Sequence, residues 1–258
     1  MRHQTGTRGL APATRKTLQA QVYGELRRAL MGGVFAPGET VSLRQLAEIF
    51  GTSVTPAREA VNRLIAERAL ALLPNRSVIV PKMTRHRFED LTAARLLLEA
   101  HATRLACRVL RAEHVEKIEL QNQRIIGRLR AGDNGGALVS NRDFHFMIYE
   151  SAGSEVLTQL IEGIWLQVGP FLVLSMERPE AAWTTEHHQT LIRALRERNA
   201  TAAVKALSAD IKGSADQLLK VGVFTDSRPA EAFGPANRRR GRGGTSVPER
   251  TFLTSSAS

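Results

Sequence analysis

The chain has 258 residues, of which 43% are hydrophobic and 24% charged, and it contains one cysteine. This length suits one large domain or two modest ones, and the composition suits a folded soluble protein. One cysteine excludes an internal disulfide framework and a cysteine-based zinc site. The N-terminus has no apolar segment of the signal-peptide type, and the most apolar stretch, residues 163–176, is too short to span a bilayer. We therefore expect a cytoplasmic protein with no membrane partner.

The positive charge is distributed unevenly along the chain. Lys and Arg outnumber Asp and Glu by 13 to 5 in residues 1–85, equal them at 17 each in residues 86–225, and exceed them by 6 to 3 in residues 226–258. The resulting net charges of +8, 0 and +3 add up to the total of +11. A basic N-terminal third beside a neutral remainder indicates that the N-terminal part contacts a polyanion.

The first third alternates short helical patterns with turn signals. We expect residues 1–16 to be flexible, because they show no apolar period. The elements that follow are a helix at about 17–31, a turn and a short extended piece at 36–43, a helix at 43–50, a helix that begins within 51–61 and ends near Arg68, and a β-hairpin at 69–82. Two short helices joined by a glycine turn and followed by a hairpin predict a winged helix-turn-helix domain at 17–82.

The stretch GTSVTPAREAV at 51–61 has the residues that this geometry needs. Gly51 can adopt the positive φ of the tight turn, and Ala47 lets the two helices approach closely. Ser53 or Thr55 can cap the second helix, and Pro56 is tolerated in its first turn. Short donors and an arginine then lie on the exposed edge at the helix start, the end that enters the major groove in helix-turn-helix proteins. The alternative is a helical hairpin that binds no nucleic acid.

Beyond residue 85 the pattern is helical throughout. Six helices are predicted, at about 86–111, 113–131, 135–152, 155–176, 179–198 and 200–221. Short breaks between them predict an all-α domain at 83–225, packed as an antiparallel six-helix bundle. Residues 226–258 are rich in Gly, Pro, Ser and Arg and predict a disordered basic tail. Its RRRGRGG cluster either strengthens DNA binding without sequence preference or is a solvated end with no role.

The run PGETVSLRQLAEIFGTSVTPAREAVNRLIAERAL, followed by PNRSVIV, resembles the DNA-binding domain of the GntR family of bacterial transcription regulators. The helical half resembles the FCD effector domain that defines the FadR subfamily, and together the two resemblances cover about residues 17–222. In that family DNA is contacted by the arginine before LA, by the start of the recognition helix and by the wing tip. The matching residues in this chain are Arg44, Ser53, Val54, Thr55, Arg58 and Ser77.

Two of these positions depart from the family pattern. Many members have arginine in place of Val54 and glycine in place of Ser77. Val54 offers only apolar contact, for instance to a thymine methyl group, so base recognition is expected to depend on Arg44 and Arg58. Ser77 places a Cβ atom where the backbone of relatives approaches the minor groove.

Polar residues on otherwise apolar helix faces identify a second candidate site. Helical spacing places Arg95, Asn141, His145, His188 and Asp210 on inward faces of four helices, whereas Asp143 is expected to point outward. Buried polar and charged groups need partners or a ligand. Two imidazoles, a carboxylate and a carboxamide suit a divalent transition metal such as zinc or nickel. Arg95 suits the carboxylate of a small organic acid.

The resemblance points to the same positions. In metal-binding FCD proteins an Asp or Asn and a His four residues later join two further His on later helices, which correspond here to Asn141, His145, His188 and Asp210. The last is a departure, because the family usually has histidine there. A metal-free pocket, with Asp210 paired to Arg95 or to a histidine, is the alternative. The family's FCD domains also form dimers, which suits a palindromic operator.

The leading interpretation is a homodimeric, ligand-responsive DNA-binding regulator, expected to be a repressor that releases double-stranded DNA when a small organic acid binds near a metal. The first alternative is a helical-bundle metalloenzyme, against which the sequence shows no paired carboxylates and no nucleophile with a base beside the ligands. The second is a constitutive DNA-binding protein whose helical half only dimerises. We do not expect an enzyme.

Overall fold

The protein is described by a computed structural model at residues 18–175, 185–222 and 224–225. The predicted flexible N-terminus, the basic tail, and the predicted start of the fifth helix of the bundle at 179–184 lie outside the described residues. Within the described part, the chain is mainly helical with one small antiparallel sheet, as the sequence predicted.

The N-terminal unit is a three-helix winged helix-turn-helix. Its elements are α1 (Leu18–Met31), β1 (Thr40–Val41), α2 (Leu43–Ile49), α3 (Val54–Ala66), β2 (Ala71–Leu72) and β3 (Val78–Ile79). The predicted hairpin is β2–β3, and the predicted extended piece before α2 is β1, which pairs with the other side of β3. The pairing of β1 with β3 was not predicted, because it joins residues that are far apart in the sequence. The wing is thereby tied to the start of α2.

The helical unit follows from Arg85 onward. Its elements are α4 (Arg85–Val109), α5 (Ala112–Arg130), α6 (Asn134–Glu150), α7 (Glu155–Leu172), a 3-10 turn (Val173–Ser175), α8 (Glu186–Arg196) and α9 (Ala200–Val221). Side chains at the predicted breaks cap the helices, since those of Asp133, Ser154 and Asn199 each accept a hydrogen bond from the first turn of the next helix. Predicted and observed ends of α4, α5, α6 and α9 differ by two residues at most.

Helix α1 joins the two units. Its buried stripe includes Val22, Leu26 and Leu30, and it packs on α3 of its own unit and on α7 of the helical unit. Gly169 of α7 makes the second contact possible, because a Cβ atom there would lie 2.5 Å from the backbone oxygen of Leu30. Arg27 and Glu162 add an ion pair of 2.7 Å across the same contact. The core therefore continues from one unit into the other.

The segment after α9 returns to the linker between the units. The amide of Thr225 donates to the backbone oxygen of Met83 at 3.0 Å, and Thr225 forms a parallel bridge with Thr84. The ring of Phe224 lies 5.0 Å from that of Phe88 and is stacked on that of Phe171. The end of α9 is thus attached to the residues that connect the wing to α4.

One helical stretch among the described residues, Glu155–Ser175, is long and apolar enough to cross a membrane by length and composition alone. Half of its apolar window is buried inside the bundle. The core helix of a soluble protein has the same properties, so this stretch is weak evidence for a membrane span.

Candidate functional site

The helix-turn-helix has the predicted geometry at its turn. Gly51 has a φ of +59°, and the amide of Thr52 donates to the backbone oxygen of Ala47 at 2.8 Å. Ala47 is buried against α3, whose buried face consists of Ala57, Ala60, Val61 and Leu64. The small residues on the inward faces let α2 and α3 pack closely, and this packing fixes the direction in which the start of α3 projects.

The predicted contacts on α2 and α3 are accessible. Arg44, Ser53, Thr55 and Arg58 are exposed, and Val54 is half-buried. Ser53 occupies the N-cap position of α3, but its side chain makes no capping hydrogen bond, so the predicted capping role is not observed. The hydroxyl of Ser53 lies at the N-terminus of α3 and does not cap the helix. In this position it can donate a hydrogen bond to a phosphate oxygen of DNA.

The wing tip contains a residue that sequence analysis missed. The amide of Ser77 donates to the Asn75 side chain at 3.0 Å, and the amide of Leu73 donates to the backbone oxygen of Ser77 at 2.8 Å. The left-handed residue of the tip is Arg76, at a φ of +66°, and not Ser77. The serine in place of the family's glycine therefore causes no backbone strain. Arg76 is exposed at the tip, and its position in the hairpin turn PNRS was the available signal.

The helical unit brings three of the predicted metal ligands together. His145 on α6, His188 on α8 and Asp210 on α9 each offer a ligand atom, and these atoms lie within 4.8 Å of one another. His145 Nε2 is 3.3 Å from Asp210 Oδ2, and His188 Nε2 is 3.5 Å from Asp210 Oδ1. Both imidazoles are 1% exposed and Asp210 is 9% exposed. We call these three residues the His-His-Asp cluster.

Neighbouring side chains fix the orientation of both imidazoles. His188 Nδ1 donates to Asn122 Oδ1 at 3.0 Å, and the Tyr149 hydroxyl lies 3.2 Å from His145 Nδ1. Because the Tyr149 hydroxyl donates its proton to Glu99, its oxygen accepts from His145. Each imidazole thus uses Nδ1 as a donor and directs Nε2 towards Asp210, which is the arrangement expected around a metal. Neither Asn122 nor Tyr149 was predicted as a site residue.

Asn141 is buried on the same face of α6, one turn before His145. Its side-chain oxygen has no hydrogen-bond partner among the described residues. A buried amide oxygen without a partner costs about 1–3 kcal/mol, so an unfilled acceptor at this position favours a bound cation or ligand. Asp143 is directed away from the cluster and pairs with Arg142 at 2.6 Å, as expected for an outward residue.

Arg95 is buried, as predicted, but its ionic partner was not predicted. Arg95 Nε donates to Glu99 Oε1 at 2.7 Å, one helical turn away, and not to Asp210. Asp210 lies beside both histidines, which is the other form of the metal-free alternative. Glu99 is fully buried and also accepts from Trp165 Nε1 at 2.9 Å and from the Tyr149 hydroxyl. The arginine side chain lies over the Trp165 ring at 4.8 Å. The Tyr149 hydroxyl therefore connects the His-His-Asp cluster to the Arg95–Glu99 ion pair and, through Glu99, to the Trp165 indole.

The protonation states of the cluster follow from burial and charge. Burial lowers the pKa of His188 to about 4, against the opposing charge of Asp210. Burial by itself raises the pKa of Asp210, but the neighbouring His188 and His145 and the charge of Arg95 together lower that pKa to about 2. Burial disfavours the charge of Arg95, yet Glu99 raises its pKa above the usual value. At neutral pH the cluster therefore holds a neutral His188 and an ionised Asp210, the forms that bind metals.

Comparisons with known proteins match both units of this chain. Residues 18–80 match the family described as bacterial regulatory proteins, gntR family, and residues 90–213 match the FCD domain. The chain belongs to the GntR family and carries an FCD effector domain. Such a chain is a ligand-responsive DNA-binding transcription regulator and not an enzyme.

Two curated bacterial relatives illustrate the similarity. The HTH-type transcriptional regulator McbR of Escherichia coli K12 is 29% identical over 171 residues, which cover 66% of this chain and 77% of McbR. The HTH-type transcriptional repressor GlaR of the same organism is 28% identical over 196 residues, which cover 70% of this chain and 86% of GlaR. A solved structure of E. coli McbR/YncC superposes with a TM-score of 0.74 at 26% identity and covers 80% of this chain and 99% of that chain.

Proposed function

We propose that this GntR regulator is a homodimeric repressor that binds a double-stranded DNA operator and releases it when a small organic acid enters the FCD domain beside a divalent transition metal. The observation that carries this proposal is the buried His-His-Asp cluster, in which three ligand atoms from three helices lie within 4.8 Å of one another. Burial of these polar groups costs free energy, and a bound ligand would offset this cost. Catalysis does not explain the cluster, because the family is not one of enzymes.

The donor set fits zinc or nickel. His145, His188 and Asp210 would hold the ion, and Asn141 would add a weaker neutral oxygen that lacks a partner among the described residues. Asn122 and Tyr149 support this assignment, because they engage Nδ1 of each imidazole and leave Nε2 to face the ion. When bound, the ion would supply a Lewis-acidic position for an effector oxygen.

The charges of the site favour a singly charged effector. Arg95 and Glu99 cancel each other, so Asp210 and a divalent ion would leave one net positive charge. A monocarboxylate neutralises that charge, whereas a dicarboxylate would add an uncompensated negative charge in a buried site. We therefore expect the acid to be a monocarboxylate held between the ion and Arg95.

Helix α9 offers a route from this site to the DNA-binding unit. Asp210 lies on α9, and the segment after α9 is attached to Met83 and Thr84 in the linker. A shift of α9 on effector binding would move this linker and change the position of the recognition helix. The effector must bind the DNA-competent and DNA-incompetent dimers with different affinities, since equal affinity would shift nothing.

The DNA contacts are assigned to Arg44, Ser53, Val54, Thr55 and Arg58, together with the wing tip at Arg76 and Ser77. The exposed arginines suit base edges and phosphates, and the half-buried Val54 suits an apolar contact. Apolar side chains left exposed on α4 and α7 support a dimer, since Leu97, Val156 and Leu160 are 75%, 69% and 54% exposed. A two-fold dimer would present two recognition helices to half-sites about 34 Å apart.

The direct test is elemental analysis of protein purified without chelator or a metal-binding tag. We expect about one zinc or nickel per chain, and close to none after substitution of His145 and His188 by alanine. His101→Ala, which changes an exposed histidine of α4, is the matched control and should keep the metal. A ratio near zero that does not rise when zinc or nickel is added would reject the metal and support a metal-free pocket.

Operator release is tested separately. Binding of DNA fragments selected by the full-length protein is measured with and without monocarboxylates. Release that persists in Arg95→Gln would contradict the assigned effector position. DNA binding that no acid changes would favour the constitutive alternative.

A further inference from the structure

A cavity lies at the junction of the two units, and none of the His-His-Asp cluster residues lines it. It has a volume of about 110 Å³. The base of the wing lines one side through Ala69 and Val80, and α4 and α7 line the other through Arg87, Gln167 and Pro170. Arg87 and Arg95 are eight residues apart on α4, which separates the two sites by about 12 Å along the helix.

The lining of this junction cavity is basic. Arg68, Lys82 and Arg87 contribute cations from both units, and none of its lining residues is acidic. The Nη2 atom of Arg87 donates to the neutral amide oxygen of Gln167 at 2.8 Å. Among the described residues, Arg87 forms no ion pair with a carboxylate, so within this part of the chain its positive charge is not compensated.

Two acidic residues close in sequence to the lining pair with other side chains. Glu162 of α7 pairs with Arg27 at 2.7 Å, and Glu67, next to Arg68, pairs with Arg63 at 3.2 Å and accepts from Tyr23. These carboxylates therefore do not neutralise the charge of Arg87, and a small anion would complement it.

Apart from Thr84 and Gln167, the remaining lining residues are apolar, namely Ala69, Val80, Pro81, Met83 and Pro170. A closed apolar cavity of about 150 Å³ binds benzene. The junction cavity has about 110 Å³ and is partly open to solvent, so a small apolar body can fill it while the rest of the ligand lies in the opening. Since the cations border this apolar surface, the matching ligand has one charged end and one small apolar end.

We propose that the junction cavity binds a small organic monoanion with a compact apolar body, and that this ligand fixes the orientation of the DNA-binding unit relative to the FCD domain. The ligand would contact residues of both units at once, so only a conformation that keeps the wing base against α4 and α7 can bind it. Met83 and Thr84 line this cavity and also receive the segment after α9. The site requires no metal and is independent of the effector position assigned to Arg95.

The test uses the full chain, with benzoate as the anionic probe and benzamide as its neutral, isosteric control. Binding is measured by isothermal titration calorimetry in the parent protein and in Arg87→Gln, Lys82→Gln, Arg95→Gln and Arg130→Gln. We expect benzoate to bind and benzamide not to bind. Arg87→Gln and Lys82→Gln should each weaken benzoate binding roughly tenfold, the loss expected for one charge-assisted hydrogen bond. Arg130→Gln, an exposed control on α5, should leave it unchanged.

Arg95→Gln separates this site from the buried one. If benzoate binding is unchanged in Arg95→Gln and is weakened roughly tenfold in Lys82→Gln, the junction cavity is the site even where the metal proposal fails. If binding is lost in Arg95→Gln and kept in both junction variants, or if benzoate does not bind the parent protein, the proposal is overturned. Should Arg87→Gln fail to fold, as judged by circular dichroism, Lys82→Gln carries the test, since the Lys82 side chain is exposed and its replacement should leave the fold intact.

Discussion

The two units of this regulator handle charge in opposite ways. In the DNA-binding unit Arg44, Arg58 and Arg76 are exposed at the surface that is assigned to DNA. In the FCD domain Arg95 and Glu99 are buried and joined by short hydrogen bonds. An exposed cation is solvated by water and needs no partner in the fold. It contributes to binding affinity when a polyanion such as DNA is present. A buried charge requires its partner at all times, so function and stability are inseparable there.

This difference predicts that Glu99→Ala has the largest effect of any single substitution considered. Removal of the carboxylate leaves the buried guanidinium of Arg95, the indole of Trp165 and the hydroxyl of Tyr149 without their common acceptor. Breaking a buried ion pair costs about 3–5 kcal/mol. The free energy of unfolding, measured by denaturant titration, should fall by that amount.

The matched control is Glu89→Ala on the same helix. Glu89 pairs with Arg85 at 3.6 Å, and both side chains are about half exposed. Such a surface pair contributes less than about 1 kcal/mol. Equal losses in the two variants would show that the Glu99 network is no more important for stability than a surface pair. Arg95→Met combined with Glu99→Leu should recover only part of the stability, because apolar residues remove the unpaired charge but leave Trp165 and Tyr149 without their acceptor.

The second prediction concerns metal and stability. If zinc binds the native FCD domain alone, a free concentration 100 times the dissociation constant stabilises the fold by about 2.7 kcal/mol. The melting temperature of the metal-depleted protein should therefore rise when zinc is added. This rise should vanish in His145→Ala and persist in His101→Ala. A rise of equal size in both variants would place the zinc outside the His-His-Asp cluster.

The third prediction addresses the exposed side of the comparison. Arg44→Ala and Arg58→Ala should each weaken operator binding by about 1–3 kcal/mol if they contact base edges, with little change in the melting temperature. Arg104→Ala, an exposed arginine of α4, is the control. Gel-shift titrations on the selected operator and on a scrambled duplex measure both affinity and specificity. Parent-like operator binding by both Arg44→Ala and Arg58→Ala would refute this recognition surface.

The same contrast explains which features were predictable from the sequence. Helix positions followed from the 3.6-residue period and from breaks at residues such as Gly132 and Gly153, which adopt positive φ values. His145, His188 and Asp210 were recognised because a polar residue on an apolar stripe is visible within a single helix. The exposure of Arg58 followed from the helical period of α3, whereas Arg44 was named through the family resemblance. Their contact with DNA stays a prediction.

The features that were missed depend on contacts between distant residues. Helical spacing predicts that Leu98 and Leu105 share the inward face of α4 with Arg95, but both are only half-buried. The buried face passes instead through Glu99 and Ala106. Because the buried face is shifted by one residue from the predicted face, Glu99 was not predicted to be buried. Asn122 lies 66 residues before His188 and belongs to another helix, so its hydrogen bond could not be inferred from helical spacing. Polar networks between helices depend on packing angles that the period does not specify.

The last prediction, with the smallest expected effect, concerns the basic tail. Residues 226–258 carry six Lys/Arg and three Asp/Glu, and most of the positive charge lies in the RRRGRGG cluster. Charge of this kind attracts phosphates without reading bases, so deletion of the tail should weaken binding to operator and scrambled DNA by the same modest factor. The slope of log affinity against log salt should become shallower by about 0.9 for each phosphate that the tail neutralises in the full-length protein.

A shorter deletion serves as the control for this effect. Removal of residues 245–258 takes away one Arg and one Glu, hence no net charge, and should leave both affinity and salt slope unchanged. If the tail acts as an exposed polycation, the full deletion changes both DNAs equally and leaves dimerisation, measured by sedimentation, intact. A failure to dimerise would instead give the tail a structural role. Weaker binding confined to the operator would mean that its arginines contact base edges, because only base contacts distinguish one duplex from another.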